Sequence, residues 1–343
     1  MRAAVVTRFG PPDVLQIRDV LPPTLKPGQV RVRVRTIGLN FADIMGRLGV
    51  YPSIPDPPFV SGIEFAGRVT DVAPGVRTIR RGDRVMGFTR QGACAEEVCV
   101  PAGYVRRIPS RMTDEEAAAF TVTYLSAYHG MRTLGQVRAG EVMLLHAAAG
   151  GVGTAALQLA RHWKVTTIAT ASTEEKLEIA RREGAAHTVN ARTGRVTDRV
   201  RQITGGKGVD LVMDSVGGSL FRESWKLLAP MGRYVLFGFA AVTGRRSLGR
   251  WRLVREVAAT PWIFPPSLPS KNVSLMGFNL YFLADQTEYL QAATSELIRL
   301  WRTKAIRPVV GRVFPFDQIA EAHEWLQSRR SVGKVVISIP AGG

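Results

Sequence analysis

Cysteine is nearly absent. Cys94 and Cys99 are the only two in a chain of 343 residues. Two cysteines build neither a disulfide framework nor a four-cysteine zinc site, so a reducing cytoplasm is the default compartment. Long apolar runs are missing as well. None reaches the roughly 18 residues that a membrane span requires. The first ten residues, MRAAVVTRFG, lack the long apolar core of a signal peptide and read as a strand. No Ser/His/Asp or Cys/His nucleophilic set stands out, and His129 and His146 read as buried or capping residues. Acidic residues are also scarce, 28 against 46 basic ones, which leaves a formal net charge of +18. The arginines are scattered from Arg2 to Arg330 in short clusters. That pattern reads as an arginine-rich surface, with neither a nucleic-acid nor a membrane partner expected. Some excess positive charge would also favour a phosphorylated ligand.

What is present is a globular composition. Hydrophobic residues make up 45% of the chain and the mean hydropathy is +0.02. At this length two domains are the natural expectation. The most informative stretch is Glu141 to Arg161, EVMLLHAAAGGVGTAALQLAR. An apolar run, Val142 to Leu145, is followed by Ala148, Gly150, Gly151 and Gly153, then by a helical pattern from Thr154 to Trp163. Strand, glycine-rich turn and helix open a dinucleotide-binding βαβ unit. Gly150 lets a backbone approach a pyrophosphate, Gly153 lets the helix lie close to its strand, and the helix N-terminus faces the phosphates.

Before that stretch, residues 1 to about 125 read as β-rich. Strands are expected at Ala3–Val6, Leu15–Ile17, Val30–Val34, Gly62–Val72 and Asp83–Phe88. Thr113 followed by Asp114-Glu115-Glu116 is a helix start, leading into a connecting segment from Ala117 to Tyr128. After it, strands and helices alternate. Strands are expected at Val165–Thr170, His187–Asn190, Val209–Asp214, Gly232–Phe237 and Val273–Phe278, with helices at Thr173–Glu183 and Leu220–Leu228. Alternation of this kind implies a parallel sheet covered on both faces. The segment Gly244 to Lys271 resists assignment. A helix over Gln286–Arg302 and a strand-helix-strand run from Val309 to Ile339 complete the chain.

Gly140, Glu141, Leu144, Ala148, Ala149, Gly150, Gly151, Gly153, Gln158 and Arg161 together resemble the signature of the quinone oxidoreductase (ζ-crystallin) branch of the medium-chain dehydrogenase/reductase superfamily. The chain start, the run VDLVMDSVG from Val209, Pro230-Met231-Gly232-Arg233 and Val332 to Val336 also follow that family. Asn40 to Met45 and Gly277 to Leu280 most resemble its synaptic-vesicle amine-transport-protein-like branch. The glycine turn with QLARHW is similar to enoyl-reductase domains of polyketide synthases. The resemblance implies an α/β protein of two parts. A GroES-like β-rich catalytic domain would take residues 1–125 with 280–343, and a Rossmann doubly wound parallel-sheet domain would take residues 126–279. It also implies a homodimer paired through the 273–279 strand.

In zinc-dependent members of that superfamily a ligand cysteine and a Gly-His-Glu occupy positions that here hold Asn40 and Gly62-Ile63-Glu64. A neutral amide and an alkyl group do not bind Zn²⁺ usefully, so no metal is expected. Without a Lewis acid, hydride transfer favours an acceptor that is already electron-poor, such as a quinone or an α,β-unsaturated carbonyl. Strand two ends Thr170-Ala171-Ser172-Thr173, with no carboxylate for an adenosine ribose. Ser172 and Lys176 favour NADPH, and Arg192 stands beside Ala191, where family members commonly carry a tyrosine.

The resemblance extends the cofactor contacts to Asn40, Ser126, Ala149, Gly150, Gly151, Val152, Gly153, Val216, Gly238, Phe278 and Lys334. It makes Asn40 and Tyr51 the candidate catalytic pair, as groups that orient a carbonyl and stabilise an oxyanion. Tyr51, Trp251, Trp262, Phe264 and Phe278 are the candidate acceptor pocket, and Glu64 and Asp43 are expected to fix loops. No side-chain acid is obvious, which leaves water or a cofactor ribose hydroxyl as the proton source. Two alternatives are an enoyl-thioester or enone reductase of a biosynthetic pathway, and an NADPH-binding protein with a mainly non-catalytic role on RNA or a membrane surface.

Overall fold

The computed structural model describes residues 1–51, 53–192, 195–240, 263 and 265–340. Its first half is built around one long strand, β3 (Gln29–Leu39), placed after β1 (Arg2–Val6) and β2 (Leu15–Asp19). Val30, Val32 and Val34 are buried while Arg31 and Arg33 point outward, as the period-2 alternation requires. From Thr36 to Leu39 both faces of the strand are buried.

Beyond β4 (Phe59–Val60), β3 pairs with β5 (Glu64–Val72), which leads to β6 (Arg84–Phe88). The short strands β7 (Glu97–Pro101) and β8 (Val105–Arg107) pair with β3 and β6. On the other side of β3 lies the end of the chain. There β15 (Val310–Pro315) runs parallel to β16 (Lys334–Ser338), and β16 is antiparallel to β3 with Val336 opposite Gly38. A residue near position 334 and one near position 40 are thus neighbours at one sheet end.

The second sheet runs β11 (His187–Asn190), β10 (Thr166–Ala171), β9 (Val142–Leu145), β12 (Val209–Asp214), β13 (Leu228–Leu236), β14 (Ser274–Gly277). Every neighbouring pair is parallel. The order reverses at β9, between β10 and β12, and the crevice beyond the carboxyl ends there is where doubly wound sheets bind ligands. Ala66 and Met86 of the first sheet share one apolar cluster with Leu145, Met213 and Val235 of the second.

Five elements differ from the sequence expectation. The segment Ala117–Tyr128 is broken into α2 (Asp114–Ala118) and α3 (Thr121–Tyr128). Thr113 starts the helix as expected, closing a capping box with Glu116, but Val122 donates its N–H to the Glu64 carboxylate at 2.7 Å instead of continuing α2. The helix expected to run to Leu228 stops at Trp225, because Leu228 already opens β13 beside Val209. Strands β7 and β8 and the helix Val196–Ile203 carry no strong sequence signal and emerge only from the fold.

Candidate active site

The glycine turn joins β9 to α4 (Gly151–His162). It is pinned to both neighbouring strands: His146 donates its N–H to Met213 O at 3.1 Å, and Ala148 donates to Thr170 O at 3.0 Å. The left-handed residue in the turn is Ala147, at φ 51°, and not a glycine. The glycines are needed for space. A Cβ on Gly153 would lie 2.5 Å from the carbonyl oxygens of Ala147 and Ala148. Gly150 is the N-cap of α4, and no side chain caps that helix. Its first-turn N–H groups suit a phosphate. Ala149, Gly150, Gly151, Val152 and Gly153 therefore form a cradle with side-chain-free space beside an uncapped helix N-terminus. Gly333, just before β16, reaches across to donate to Ala149 O at 2.7 Å.

One end of the cradle is cationic. Ser172 follows β10, and Thr173 caps α5 (Glu174–Glu183) by accepting the Lys176 N–H at 3.4 Å. Lys176 Nζ donates to the Arg329 carbonyl at 2.6 Å. Burial holds the Lys176 ammonium below its usual range; Glu175 opposes this, and the positive charges of Arg192 and Arg329 add to it. Three cations from three elements gather here, Arg329 joining the expected Lys176 and Arg192 beside Ser172. Arg329 follows the helix Ile319–Gln327, far away in sequence, and its only local signal is the Arg329-Arg330 pair.

Beside the other end of the cradle lies a buried polar cluster. Lys334 Nζ sits 2.5 Å from Glu64 Oε2 and donates to Asn40 Oδ1 at 2.6 Å. Glu64 is 0% exposed and Lys334 3%. Glu64 also accepts from Asn40 Nδ2 at 3.1 Å, and Asn40 Nδ2 donates to Gly38 O at 2.9 Å. Asn40 caps α1 (Phe41–Arg47) in a capping box with Asp43, whose Oδ2 accepts the Asn40 backbone N–H at 2.7 Å. Asp43 Oδ1 is buried with no partner. Burial above all pushes the Asp43 carboxyl up to about 7, with Lys334 pulling the other way. A Cβ on Gly38 would strike the Ala118 carbonyl oxygen first, and also Glu64 Oε2 at 2.9 Å and Lys334 Cε at 3.0 Å, so both the α2 backbone and the cluster require glycine there. The lysine stem also passes the cradle, 3.5 Å from where a Cβ of Gly151 would lie.

The expected donors are already committed. Both N–H groups of the Asn40 amide face inward, to Gly38 and Glu64. Tyr51 donates its hydroxyl to Asn279 Oδ1 at 2.8 Å, and burial pushes its phenol up to about 12. Asn279 Oδ1 accepts from the Tyr281 N–H as well, and the Tyr51 and Tyr281 rings meet edge-on at 5.8 Å. The Asn40 oxygen is engaged as well, by Lys334 Nζ, so the whole amide is held within the buried cluster, and the Tyr51 hydroxyl is held by Asn279.

The remaining predicted residues lie at strand ends or on α3. Val216 donates its N–H to Asp214 Oδ1 at 2.7 Å just past β12. A Cβ on Gly238 would lie 2.7 Å from Ser215 O, so the chains after β12 and β13 touch. Phe278, after β14, meets the His129 ring at 4.8 Å and stacks on Phe237 at 5.7 Å. Ser126 is buried on α3. His129 and His146 are buried and hydrogen-bonded to hydroxyls, with burial lowering both imidazoles. Trp251, Trp262 and Phe264 lie outside the described residues. Among the described residues, no three of His, Cys, Asp and Glu are grouped to hold a metal ion, and no helix is long and apolar enough to cross a membrane.

Comparison with known proteins agrees with this layout. Residues 26–110 match the family described as alcohol dehydrogenase GroES-like domain, and residues 183–337 match that described as zinc-binding dehydrogenase. The synaptic vesicle membrane protein VAT-1 homolog of Rattus norvegicus is 38% identical over 344 residues, covering 98% of this chain and 84% of that protein. The chain belongs to the zinc-independent medium-chain dehydrogenase/reductase family, in its VAT-1 branch. The quinone oxidoreductase of Escherichia coli complexed with NADPH superposes with a TM-score of 0.89 at 30% identity, over 98% of this chain and 100% of that one. The CurK enoyl reductase does so with a TM-score of 0.86 at 28% identity, over 99% of each chain. The zinc in one family description has no counterpart in the donor set here, where Asn40 and Ile63 stand at the superfamily's ligand positions.

Proposed function

We propose that this oxidoreductase uses NADPH to reduce quinones or activated C=C bonds. The glycine cradle and the Lys176–Arg192–Arg329 cluster support the phosphorylated dinucleotide. The cradle has the space and the uncapped helix N-terminus for a pyrophosphate, and three cations, which outnumber the one neighbouring carboxylate of Glu175, suit a 2′-phosphate. An E. coli relative of the same fold is named as a complex with NADPH. The bound cofactor would supply a hydride. The chain's own part is to hold it and to orient the acceptor.

The observation that carries the choice of acceptor is Asn40. It stands where a metal ligand would be needed and is hydrogen-bonded instead to a lysine and a glutamate. A plain ketone or alcohol requires polarisation by a Lewis acid, whereas a quinone or enone already delocalises the added electron pair. Tyr51, Tyr281 and Phe278 offer aromatic surface to a flat acceptor. The domain division proposed is residues 1–125 with 280–343 for the catalytic part and 126–279 for the cofactor part. Cytoplasmic residence and a homodimer through strand β14 belong to the same reading.

A second reading, reduction of enoyl thioesters, is favoured by the likeness to the CurK enoyl reductase. NADPH oxidation assayed against a panel of quinones, enones and enoyl-CoA separates the two. Turnover with quinones and enones and none with enoyl-CoA supports the first. A protein that binds NADPH and reduces no member of the panel refutes both.

A further inference from the structure

The geometry points to Lys334 as the proton donor of the reduction, a role that rests on the reading above. When an acceptor takes a hydride, the reaction also needs a proton at the oxygen that receives the displaced electron pair. Besides water and a cofactor ribose hydroxyl, the donor count among Tyr51, Asn40, Asp43 and Lys334 singles out one side chain. Tyr51 has spent its one O–H on Asn279. Asn40 has spent both amide N–H bonds on Gly38 and Glu64. Asp43 is turned into the protein behind the first turn of α1, with one oxygen on the Asn40 backbone and the other enclosed. Lys334 differs: an ammonium has three N–H bonds, and two are engaged, by Asn40 Oδ1 and Glu64 Oε2.

Its position fits the role. The lysine stem lies along the glycine cradle, and the residue before it, Gly333, is bonded to Ala149. Its Nζ donates to Asn40 Oδ1 at 2.6 Å, and Asn40 is half-buried. The charged groups facing it are Glu64 from β5 and Asp43 from α1, which also acts on Lys334 through space. Glu64 and Asn40 aim the lysine, and Gly38 leaves room for both side chains.

The step balances. A bound nicotinamide would supply the hydride, its donor C–H bond giving up the electron pair that forms a C–H bond at the acceptor's β-carbon. The C=C pair shifts to make the enolate C=C, and the carbonyl π pair goes to oxygen. There an O–H bond forms as one N–H bond of Lys334 breaks. The enol returns to the ketone in water, and the neutral amine recovers a proton from solvent after product leaves. With a quinone the same proton goes to one of the two hydroquinone oxygens.

Arginine separates a proton donor from a mere cation. It holds phosphate at least as well as lysine and gives up no proton in a protein. Lys334→Arg, Lys334→Ala and the wild type are compared for NADPH binding by nicotinamide fluorescence, and for turnover with 2-cyclohexenone and menadione. The expected result is NADPH affinity within about 3-fold for Lys334→Arg, with kcat lowered by roughly 10²–10⁴, the range for a lost general acid. Its solvent deuterium isotope effect should rise while the effect of 4-deuterated NADPH falls. Saturable rescue of Lys334→Ala by ethylammonium is also expected. If the single variants unfold, Glu64→Met with Lys334→Met removes the buried charges together and should show the same loss with NADPH still bound. Turnover of Lys334→Arg near the wild-type rate overturns the proton-donor role alone. So does a loss that appears wholly as weaker NADPH binding. A wild type that binds NADPH and reduces neither probe overturns this role together with the function it rests on.

Discussion

Glu64→Gln tests the frame of the site most directly. The carboxylate is fully buried and accepts three hydrogen bonds. Val122 N–H reaches Oε1, while Asn40 Nδ2 and Lys334 Nζ reach Oε2. Glutamine keeps the first, because its oxygen can take the place of Oε1. It then turns an NH₂ group toward two donors, and the ammonium is left buried without its anion. Two charge-assisted bonds at about 1.5–3 kcal/mol each set a loss of about 3–6 kcal/mol. Removing one partner of a buried ion pair costs about 3–5 kcal/mol by independent comparison. The two ranges agree, and urea unfolding with the m value checked against wild type measures the difference.

Glu64→Gln combined with Lys334→Met should be less destabilised than Glu64→Gln alone, since no unpaired charge then remains. The cost should also change little between low and high salt, because a buried pair is poorly screened. A Glu64→Gln protein within about 1 kcal/mol of wild type would refute the reasoning. So would a cost that vanishes in salt.

Three further expectations follow from other parts of the molecule. Lys176→Ala should weaken NADPH binding by roughly 10–100-fold, the loss of one charge-assisted phosphate contact, and leave NADH binding unchanged; equal effects on the two cofactors in a fluorescence titration would remove the lysine from the 2′-phosphate site. Asp43 binds a proton in the folded protein that the unfolded chain releases, because burial lifts its carboxyl from 3.8 to about 7. Its contribution to stability therefore falls as pH rises through that window, by at most about 4 kcal/mol. The groups around it are Asn40, Lys334, Glu64, Tyr51 and Cys94, and Asp43→Asn should flatten the unfolding midpoint between pH 4 and 7 relative to wild type. Strand β14 ends its sheet among the described residues and carries Leu275 at 39% exposure, so light scattering should give a dimer mass for wild type and a monomer mass for Leu275→Arg.

Local pattern carried most of the fold. The alternation Val30, Val32, Val34 made β3 legible because one of its faces is buried and the other wet. The glycine turn was legible because strand, turn and helix follow one another within about twenty residues. What the sequence hid were elements whose cause lies elsewhere in the chain. The break between α2 and α3 depends on Glu64, more than fifty residues upstream, capturing the Val122 N–H. Arg329 joins Lys176 only because the last helix delivers it there. The amide of Asn40 was legible as a site residue, but not its direction. Which way each of its edges faces is set by Glu64 and Lys334, the latter 294 positions away.

That long-range contact also explains how a superfamily position without a metal ligand is kept polar. At Asn40 and Ile63 the donors for a divalent cation are gone, yet Glu64 remains at 0% exposure and Asp43 at 5%. Two buried carboxyls so close cannot both stay charged without a cation between them. The structure meets this in two ways. Lys334 enters from β16 and neutralises Glu64 at 2.5 Å. Asp43 has no partner for its second oxygen, and burial lifts its carboxyl to about 7. A metal would bind several oxygens at once. A lysine binds two acceptors here and holds a proton that it can give up, which a metal ion does not supply on its own. On the proposed role of Lys334, an amide and an alkyl group in place of metal ligands would exchange polarisation of an oxygen for a proton held near it, which would suit acceptors able to take a hydride without prior polarisation.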